Sequence, residues 1–558
     1  MVLLFIFLAS TMLPSIPITK AQSSDTIIIQ TDGTIQGTDK IQKNNNIYTL
    51  TSDITCSTEI AEALIFILKD NIILDGNSHT ISSEGNGIGI HLSNRQNVTI
   101  KNLIINNFGT GISFGFAKEY PIKEIQRQLA QNNQILNNEI TSYYGCIELA
   151  NANKTTISDN ILTTNPKYGI SLGNCNFTIF VNNKLHGGSL DLGISTQNQL
   201  LDNILNGKPL AFFYQESNIV IEDANQVILE ECSNITVKNI DPTTDLKIAI
   251  QLINTNNSII TNCKGRITLS NSHYNIISKN DLREISSDYF SQPAISLTLS
   301  VFNSIYENQI TECDSEGIKL VGSNFNNIYK NLVSDCNSGI WLLGSNNNNV
   351  YQNILESNQF GIKLAYEHFA MVKPVCYYNS IFENIIESCS QGIHLYSAYE
   401  NKIFRNNISY PRGHAVYLCC SDDNRFYSNN FLENKKQVYE EHAVYSRILG
   451  DYEYYFSENN TWNVGPSDGG NYWIDYEGFD QDGDGIGDSK YLVFENMTDY
   501  YPMVDPLDIP TIFIPTPTPT PTPEPEPFPT TLIIASIATI AVIGMGILVY
   551  FKKHSGRS

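Results

Sequence analysis

Residues 303–320 read NSIYENQITECDSEGIKL, and four variants of this stretch follow it along the chain. The variants are NNIYKNLVSDCNSGIWL at 326–342, NNVYQNILESNQFGIKL at 348–364, NSIFENIIESCSQGIHL at 379–395 and NKIFRNNISYPRGHAVYL at 401–418. Short β-type triplets separated by Asn, Ser and Gly lack the long 3.6-residue periodicity of helical repeats. The pattern therefore predicts an all-β solenoid of about 22 residues per coil, a right-handed parallel β-helix.

One asparagine recurs in every repeat, at steps of 23, 22, 31 and 22 residues: Asn308, Asn331, Asn353, Asn384 and Asn406. The same marker continues downstream and upstream at Asn429, Asn102, Asn138, Asn160, Asn182, Asn203, Asn239, Asn262 and Asn280. Asparagine tolerates the left-handed backbone region, and stacked amides can each donate a hydrogen bond to the next. We interpret this column as structural rather than catalytic.

The composition limits the possible partners. The chain has 558 residues and a net charge of −23, with 57 acidic and 34 basic side chains. This is the wrong sign for neutralising phosphates, which argues against nucleic acid as a partner. An acidic excess instead suits an outward-facing protein that binds cations or neutral polymers.

Both ends of the chain carry targeting signals. Residues 1–21 form an apolar segment with a small-residue exit, typical of a signal peptide, although its basic n-region is missing and the true start could lie upstream. Residues 509–529 predict an extended Pro/Thr/Glu stalk. Residues 530–551 are long enough for one transmembrane helix, and lysines follow at 552–553. The positive-inside rule places the tail, 552–558, in the cytoplasm and the rod outside, anchored in the cell membrane by a single pass.

Between the signal peptide and the stalk we expect three parts: an N-terminal cap at 22–64, the β-helix at 65–460 and a C-terminal cap at 461–508. Two insertions interrupt the repeats. Residues 116–131 predict a short projecting helix, and residues 365–378, which contain His368, predict either a substrate-side loop or a decorative one. Cys313, Cys336 and Cys389 share one column, in which either a thiol stack or a bridge is possible.

The C-terminal cap contains the clearest chemical motif, GGNYWIDYEGFDQDGDGIGD at 469–488. Carboxylates at alternate positions followed by a carbonyl and another carboxylate reproduce an EF-hand-like loop for calcium, with the ligands Asp480, Asp482, Asp484, Ile486 and Asp488. The twelfth position holds Tyr491, so a bidentate ligand would have to come from Asp475, Glu477 or Glu495. The alternative interpretation is a solvated acidic turn.

Candidate binding and catalytic residues lie on the outer face of the rod. The outward position of the Gly-Ile-x-Leu motif carries His91, Lys319, Trp341, Lys363 and His394. Trp341 could stack on a sugar ring, and His394 and His368 are further ligand-binding candidates. The catalytic candidates are Asp422 and Asp423 beside Arg425, with His414 one coil away.

The combination of NIILDGNSHTI, NVTIKNL, the repeated coils and the closing GNYW and DGDGIGD segments resembles the NosD-type right-handed β-helix family, grouped with carbohydrate-binding and sugar-hydrolase domains. The resemblance runs from about residue 45 to 506. It implies a periplasmic role in copper supply. Copper is nevertheless an unfavoured cofactor, because the chain has six methionines, no His-x-His cluster and a stalk and tail like those of archaeal surface proteins.

We therefore expect a surface-anchored β-helix protein that binds polysaccharide or another cell-envelope component without catalysis. The alternatives are a polysaccharide lyase, hydrolase or epimerase, and a NosD-like accessory role in copper handling. The sequence does not identify the ligand.

Overall fold

The computed structural model describes residues 26–510, except 57–62, 93, 116–129, 165–167, 243–245, 247, 284–291, 366–374, 411, 447–450, 455 and 468. The predicted signal peptide, membrane span and cytoplasmic tail lie outside these residues, as do nearly all of the stalk and of the helix predicted at 116–131. Every regular element within them is a β-strand. None of the described residues belongs to a helix long and apolar enough to cross a bilayer.

One repeat shows how the sequence builds a coil. Ser304–Tyr306 and Gln309–Val321 are strands, and the chain turns a corner between them at Asn308. Alternation points Ile305, Ile310 and Ile318 inward, where all three are fully buried. Each strand then pairs in parallel with its counterpart one repeat later, so successive coils bury one another's apolar side chains. The described chain is a parallel β-helix, as the repeat predicts.

The first part of the rod, which we call segment 1, contains two sheets. Its 14-stranded sheet S1 is built from Ile27–Ile29, Ile35–Gln36, Ile54–Thr55, Ala63–Ile67, Thr80–Ser82, Ile88–Leu92, Ile104–Phe114, Glu139–Ala150, Ile161–Thr164, Tyr168–Gly173, Lys184–His186, Ser189–Asp191, Ile204–Leu205 and Lys208–Pro209. Its 8-stranded sheet S2 is built from Ile41–Asn44, Ile47–Leu50, Ile73–Asp75, Thr99–Lys101, Gln134–Leu136, Thr156–Ser158, Ile179–Val181 and Gln199–Leu201.

The second part, segment 2, repeats this arrangement. Its 17-stranded sheet S3 is built from Ala211–Tyr214, Val227–Glu230, Ile250–Ile253, Ile267–Ser270, Asp281–Arg283, Ile295–Thr298, Gln309–Val321, Leu332–Leu343, Ile354–Glu356, Phe360–Leu364, Ile385–Glu387, Gln391–Tyr396, Asn407–Ser409, Val416–Cys419, Asn430–Leu432, Val438–Glu441 and Tyr472–Trp473. Its 10-stranded sheet S4 is built from Val220–Ile221, Thr236–Lys238, Ile259–Thr261, Ile276–Ser278, Ser304–Tyr306, Asn327–Tyr329, Asn349–Tyr351, Ser380–Phe382, Lys402–Phe404 and Arg425–Tyr427.

Four short strand pairs complete the fold. Two are parallel and join neighbouring corners: Ala130–Gln131 with Ala152–Asn153, and Cys376–Tyr377 with Ala398–Tyr399. Two are antiparallel hairpins near the C-terminal end: Ala443–Ser446 with Asp451–Tyr454, and Tyr491–Phe494 with Met497–Asp499.

The rod is divided between the two segments, a feature that the repeat does not predict. Ile204–Leu205 turns back on Lys208–Pro209 in an antiparallel hairpin, with Asn206 and Gly207 at φ 49° and 82°. Asn-Gly is the dipeptide preferred in such a turn. The hairpin ends S1, and S3 begins as a separate sheet. The hydrophobic cluster of segment 1 differs from the main cluster of segment 2, but it extends across the junction to include Ile228 and Ile253 of S3.

Side chains of segment 2 satisfy the open edge that this division leaves on Ser189–Asp191. The Gln226 amide accepts from the Leu190 N–H at 3.0 Å and donates to the Leu190 carbonyl at 2.6 Å. Gln251 accepts from the Leu192 N–H at 3.0 Å and donates to the Asp191 carboxylate at 2.9 Å. Both glutamines are buried, so the junction uses side-chain amides in place of a neighbouring strand.

The asparagine column is confirmed through most of the rod. Each buried amide accepts from the backbone and side-chain N–H groups of the preceding asparagine, as Asn353 does from Asn331 at 3.0 and 2.9 Å. The ladder of segment 2 runs without interruption through Asn280, Asn308, Asn331, Asn353, Asn384, Asn406, Asn429 and Asn471.

Two details of the predicted column are wrong. Asn102, Asn182, Asn239 and Asn262 lie one residue before it and have positive φ; in two of these coils Asn183 and Cys263 occupy the column itself. The left-handed residue is the one before the ladder asparagine, and Lys330, Gln352 and Glu383 also adopt it. The asparagine is needed at the next position for its buried amide, which bonds the coils above and below.

A second asparagine ladder, which was not predicted, stands five residues before the first in every coil except the last, where Asn460 precedes Asn471 by eleven. Its amides repeat the same hydrogen bonds at the corner that precedes each S4 strand, through Asn275, Asn303, Asn326, Asn348, Asn379, Asn401, Asn424 and Asn460. The signal was present in the sequence, because each repeat begins with this asparagine. Paired ladders therefore bracket the strands of S4.

All eleven cysteines lie within the described residues, and none of them forms a disulfide. Cys313 and Cys336 are partners in adjacent strands, and Asn358 separates Cys336 from Cys389 by accepting the Cys336 N–H at 2.9 Å. Of the two possibilities for this column, the structure has the thiol stack. Cys419 is buried and Cys420 is partly exposed, with their sulfurs 3.3 Å apart.

Candidate functional site

The acidic loop at 480–488 has the geometry of a cation-binding turn. Carboxylate oxygens of Asp480, Asp482 and Asp484 all lie within 4.8 Å of one another. The Asp480 carboxylate accepts the Gly483 and Gly485 N–H groups at 2.7 and 2.8 Å, and both glycines have the positive φ that lets the backbone curl around it. The residues fit calcium, which takes six to eight oxygen ligands in flexible geometry.

The aspartates in this loop carry like charges and affect one another's pKa values. The neighbouring Asp484 charge raises the pKa of Asp482, whereas the backbone hydrogen bond from Gly485 lowers the pKa of Asp480. Asp488 closes the loop by accepting the Gln481 N–H at 2.8 Å. A cation among these carboxylates would remove the repulsion between them.

None of the three suggested sources of a bidentate ligand belongs to the described carboxylate cluster. Asp475 accepts hydrogen bonds from the Tyr491 hydroxyl at 3.0 Å and the Gln437 amide at 3.1 Å. Glu495 lies 4.0 Å from the His442 ring. The described carboxylate cluster consists of Asp480, Asp482 and Asp484, and Ile486 and Asp488 stay predicted ligands.

The loop is attached to the end of the asparagine ladder. Ile486 forms an antiparallel bridge with Met503, and the buried Asp499 carboxylate accepts from the Asn471 N–H at 2.7 Å and the Trp473 indole at 3.0 Å. Burial raises the pKa of Asp499, and these hydrogen bonds oppose the shift. Sequence reasoning did not assign this residue, although it lies in the conspicuous segment 499–506, DYYPMVDP.

A groove of about 530 Å³ opens beside the acidic loop. Its apolar wall includes Phe479, the most exposed of the large hydrophobic residues described at 78%, and Leu492 at 65%. Tyr491 lies between them and the core, stacked on Trp473 at 4.6 Å. Tyr476 and Gly478 also line the groove, and the polar lining consists of three acidic side chains and one basic side chain with Gln481 and Ser489: Asp475, Glu477, Asp488 and Lys490. Aromatic faces with convergent polar groups are the usual make-up of a small-ligand site.

The acidic loop positions this groove. The Asp488 N–H donates to the Phe479 carbonyl at 2.8 Å, and the Tyr476 hydroxyl donates to the Ser489 carbonyl at 2.6 Å. A side chain at Gly478 would collide with that hydroxyl, so glycine is required there. The signal in the sequence was an aromatic residue exposed within a Gly/Asp-rich turn, which has no repeat to draw attention to it.

The outward column of S3 does not offer the aromatic face expected of Trp341. Its side chain is only 5% exposed, its indole N–H donates to the Ala365 carbonyl, and the Lys319 and Lys363 ammonium groups cover it at 4.0 and 4.1 Å. Trp341 does point away from the core, but its neighbours in the column occupy both faces of the ring. The expectation of a free stacking face is therefore wrong.

The remaining ligand candidates give no assembled site within the described residues. His394 stacks on Tyr417 at 4.5 Å and contacts Gln391 at 2.7 Å, and burial with the Lys363 charge lowers its pKa to about 3. It is therefore neutral at physiological pH. His91 is likewise buried, and burial lowers its pKa to about 4. His368 lies outside the described residues.

The catalytic candidates have separate structural surroundings. Asp422 accepts the Glu458 N–H at 2.8 Å, and burial raises its pKa. Asp423 occupies a left-handed turn position, and Arg425 is an exposed residue at the start of the strand Arg425–Tyr427. His414 stacks on Tyr439 at 4.7 Å. Within the part of the chain that the structure describes, no hydrogen bond or ion pair joins His414 to either aspartate.

Other aromatic residues form stacks along the rod rather than open platforms. Six rings of S4 stack at centroid distances of 4.9–5.1 Å: Tyr306, Tyr329, Tyr351, Phe382, Phe404 and Tyr427. Because each ring covers its neighbour's face, the stack presents mainly ring edges to solvent. Among the described aromatic residues, this leaves Phe479 with the greatest exposure.

Comparison with known families agrees with the fold. Residues 63–232 match the model for a right handed beta helix region, and residues 201–368 and 374–478 match the model described as periplasmic copper-binding protein NosD. The described chain is therefore a right-handed parallel β-helix. More particularly, its residues 201–368 and 374–478 are similar to the NosD-type family of such proteins.

Two curated proteins named probable ABC transporter binding protein NosD are similar to parts of the chain. The protein from Pseudomonas aeruginosa is 31% identical over 109 residues, which cover 19% of this chain and 21% of that protein. The protein from Stutzerimonas stutzeri is 32% identical over 130 residues, covering 22% of this chain and 21% of that protein. The chain thus spans about a fifth of the length of these relatives.

Solved structures with a similar backbone fold include the periplasmic alginate epimerase AlgG. It is 13% identical with a TM-score of 0.22, and the match covers 72% of this chain and 80% of that one. The Dettilon tailspike protein is 12% identical with a TM-score of 0.27, covering 67% of this chain and 57% of that one. Superpositions this distant carry no argument about a site or an activity.

Proposed function

We propose that this protein is a surface-anchored β-helix that binds polysaccharide, or a glycan component of the cell envelope, without modifying it. The observation that carries the proposal is the groove beside the acidic loop. It combines an aromatic ring that is 78% exposed, Phe479, with carboxylate and amide groups that can hydrogen-bond sugar hydroxyls.

Calcium has a structural role in this proposal. Bound by Asp480, Asp482, Asp484, the Ile486 carbonyl and Asp488, the ion would fix the turn that carries Phe479. It supplies charge neutralisation and coordination and takes no part in a reaction. Magnesium would bind to the loop more weakly than calcium, because it requires a tighter octahedron of oxygen ligands and releases water reluctantly.

A glycan-binding screen on the purified chain tests the proposal. We expect binding to at least one polysaccharide, loss of that binding in Phe479→Ala, and retention in Tyr500→Ala. Tyr500 is the matched control because it is an exposed aromatic residue of the same cap and is not part of the groove lining. Depolymerised or epimerised product in a parallel assay would show that the protein is an enzyme rather than a non-catalytic binder. A complete absence of binding would refute the proposal.

The location is a proposal of its own, supported by the apolar segments at 1–21 and 530–551 and the lysines that follow the second. Protease added to intact cells is expected to cut in the stalk at 509–529 and release the rod as a soluble fragment. Full protection of the rod would contradict this topology.

The family description also suggests copper handling. The described thiols do not favour it, since ten of the eleven are buried, and burial raises the pKa of Cys376 to about 11 and that of Cys263 to about 12. Thiolate rather than thiol is the metal ligand, so these cysteines are poorly suited to copper exchange.

A further inference from the structure

The charges around the groove indicate which sugars it would accept. Asp475, Glu477 and Asp488 contribute three carboxylates to the lining, and Lys490 is the one basic side chain in it. The whole chain carries a net charge of −23, which has the same sign as this local excess. An acidic ligand would therefore enter against both the local and the overall field.

Two of these carboxylates do not depend on the cation loop. Asp475 is held by the Tyr491 hydroxyl at 3.0 Å and by the Gln437 amide at 3.1 Å, outside the cluster formed by Asp480, Asp482 and Asp484. Glu477 is exposed and also lies outside that cluster. An ion bound in the loop would neutralise the loop carboxylates and leave these two charges facing the groove.

The apolar wall gives the groove a preferred way to hold a sugar. Phe479 is exposed on a turn that the Asp488 and Tyr476 hydrogen bonds fix in place, and Leu492 is exposed on the strand Tyr491–Phe494 that follows it. A pyranose ring can lay its C–H face on such a wall while its hydroxyls donate to carboxylates at the rim. Hydroxyl and ammonium groups satisfy acceptor-only carboxylates, whereas a second carboxylate cannot.

We propose that the groove beside the acidic loop is selective for glycans without acidic groups, taking neutral or amino sugars and rejecting uronates. This inference rests on the proposed function and names the class of glycan. It follows from the excess of carboxylates over the single lysine in a groove whose only other large surface is apolar. Screened repulsion at about 7 Å corresponds to roughly a threefold loss of affinity per rim carboxylate for a uronate.

Three β-1,4-linked glucose-type oligosaccharides of equal length provide the test. One is neutral (glucose units), one carries an amine at C2 (glucosamine units) and one carries a carboxylate at C6 (glucuronate units). Titrations of the full chain at low salt, with calcium and again with chelator, are expected to rank the amine first, the neutral sugar second and the uronate last by about tenfold or more.

Charge removal at the rim sharpens the test. Glu477→Gln is expected to narrow the gap between neutral and uronate oligosaccharides by about threefold. Glu495→Gln, an exposed carboxylate of the same cap outside the groove lining, is expected to leave the gap unchanged. A lysine-rich peptide serves as a control for simple cation attraction and is expected to bind more weakly than the amino sugar.

The outcomes separate failure of the proposed sugar selectivity from failure of the proposed glycan-binding function. Tighter binding of the uronate, or equal binding of all three sugars, would overturn the selectivity while leaving the binding function in place. A peptide that binds as well as the amino sugar would replace a sugar site by a general cation-binding surface. If none of the sugars binds, while other polysaccharides do and depend on Phe479, the selectivity fails alone; if nothing binds, both proposals fail.

Discussion

Asn353 illustrates the residue scale, because a single side chain connects three coils. Its amide donates to the Ile328 carbonyl at 2.9 Å and to the Asn384 amide oxygen at 2.9 Å, and it accepts from Asn331. The residue is fully buried. A buried amide with all partners satisfied stabilises the fold, whereas a partner left without its hydrogen bond costs about 1–3 kcal/mol.

We expect Asn353→Leu to lower the free energy of unfolding by about 3 kcal/mol, because leucine leaves buried groups of Asn331 and Ile328 without partners. Chemical denaturation of the variant and the wild type measures this difference. The matched control is Asn349→Leu, an exposed asparagine in the same coil, which should change stability by no more than about 0.5 kcal/mol. Equal effects of the two substitutions would count against the ladder.

The left-handed residue before each ladder asparagine explains why the sequence predicts some coils better than others. Where Lys330 or Gln352 takes this position, only one asparagine is available and the column is read correctly. Asn182 is followed by a second asparagine, and Asn262 by Cys263, so the marker shifts by one residue. Sequence spacing alone does not distinguish a turn asparagine from a ladder asparagine.

At the scale of elements, the acidic loop is the feature with the clearest response to conditions. Gathering Asp480, Asp482 and Asp484 within 4.8 Å is unfavourable without a cation. We expect calcium to stabilise the native state by about 2.7 kcal/mol at a hundred times Kd, and magnesium to do less. Calorimetry with calcium, magnesium and chelator measures the shift.

The Asp482→Asn, Asp484→Asn double variant is expected to lose the calcium response and to be more stable than the wild type in chelator, since it relieves the repulsion. Asp505→Asn, an exposed aspartate of the same cap, provides the control and should keep the full response. A wild-type unfolding temperature that does not change with calcium would show that the loop is a solvated turn.

The junction between the two segments should make stability depend on pH. Glu230 is buried, its carboxylate accepts the Gln197 and Asn198 N–H groups, and burial raises its pKa to about 7. The native state binds the Glu230 proton more tightly than the unfolded state does. Glu230 therefore stabilises the native state fully below about pH 4.5, and this stabilisation is lost as the pH rises through about 7. We expect a loss of about 3 kcal/mol across this window.

Burial also raises the pKa of Asp191 and that of Glu148 in the same part of the rod, so both act in the same direction. Glu230→Gln should therefore flatten the pH profile in part, whereas Glu216→Gln, an exposed carboxylate nearby, should not alter it. A wild-type free energy of unfolding that rises between pH 5 and 7 would contradict this assignment. The junction itself could not be predicted from the repeat, because Gln226 and Gln251 act through side chains that no periodicity marks.

At the scale of the whole molecule, the rod supplies a rigid support and the cap supplies the groove. The long apolar strands, paired ladders and aromatic stacks fill the rod with satisfied contacts, so its coils follow from the repeated sequence. The groove forms where the repeats end and residues 475–492 fold against the last coil. The acidic loop could be predicted from its spacing, but the groove could not, since it depends on how Phe479, Tyr491 and Asp475 are placed by tertiary contacts.

The most direct test of this account is hydrogen–deuterium exchange of the full chain with and without a bound glycan, because protection of amides reports where the ligand lies. We expect slowed exchange at residues 475–492, little change along the outward face of S3 from Trp341 to Tyr439, and no change in Phe479→Ala. Protection along that face with unchanged exchange at 475–492 would place the glycan on the rod and contradict the proposed site.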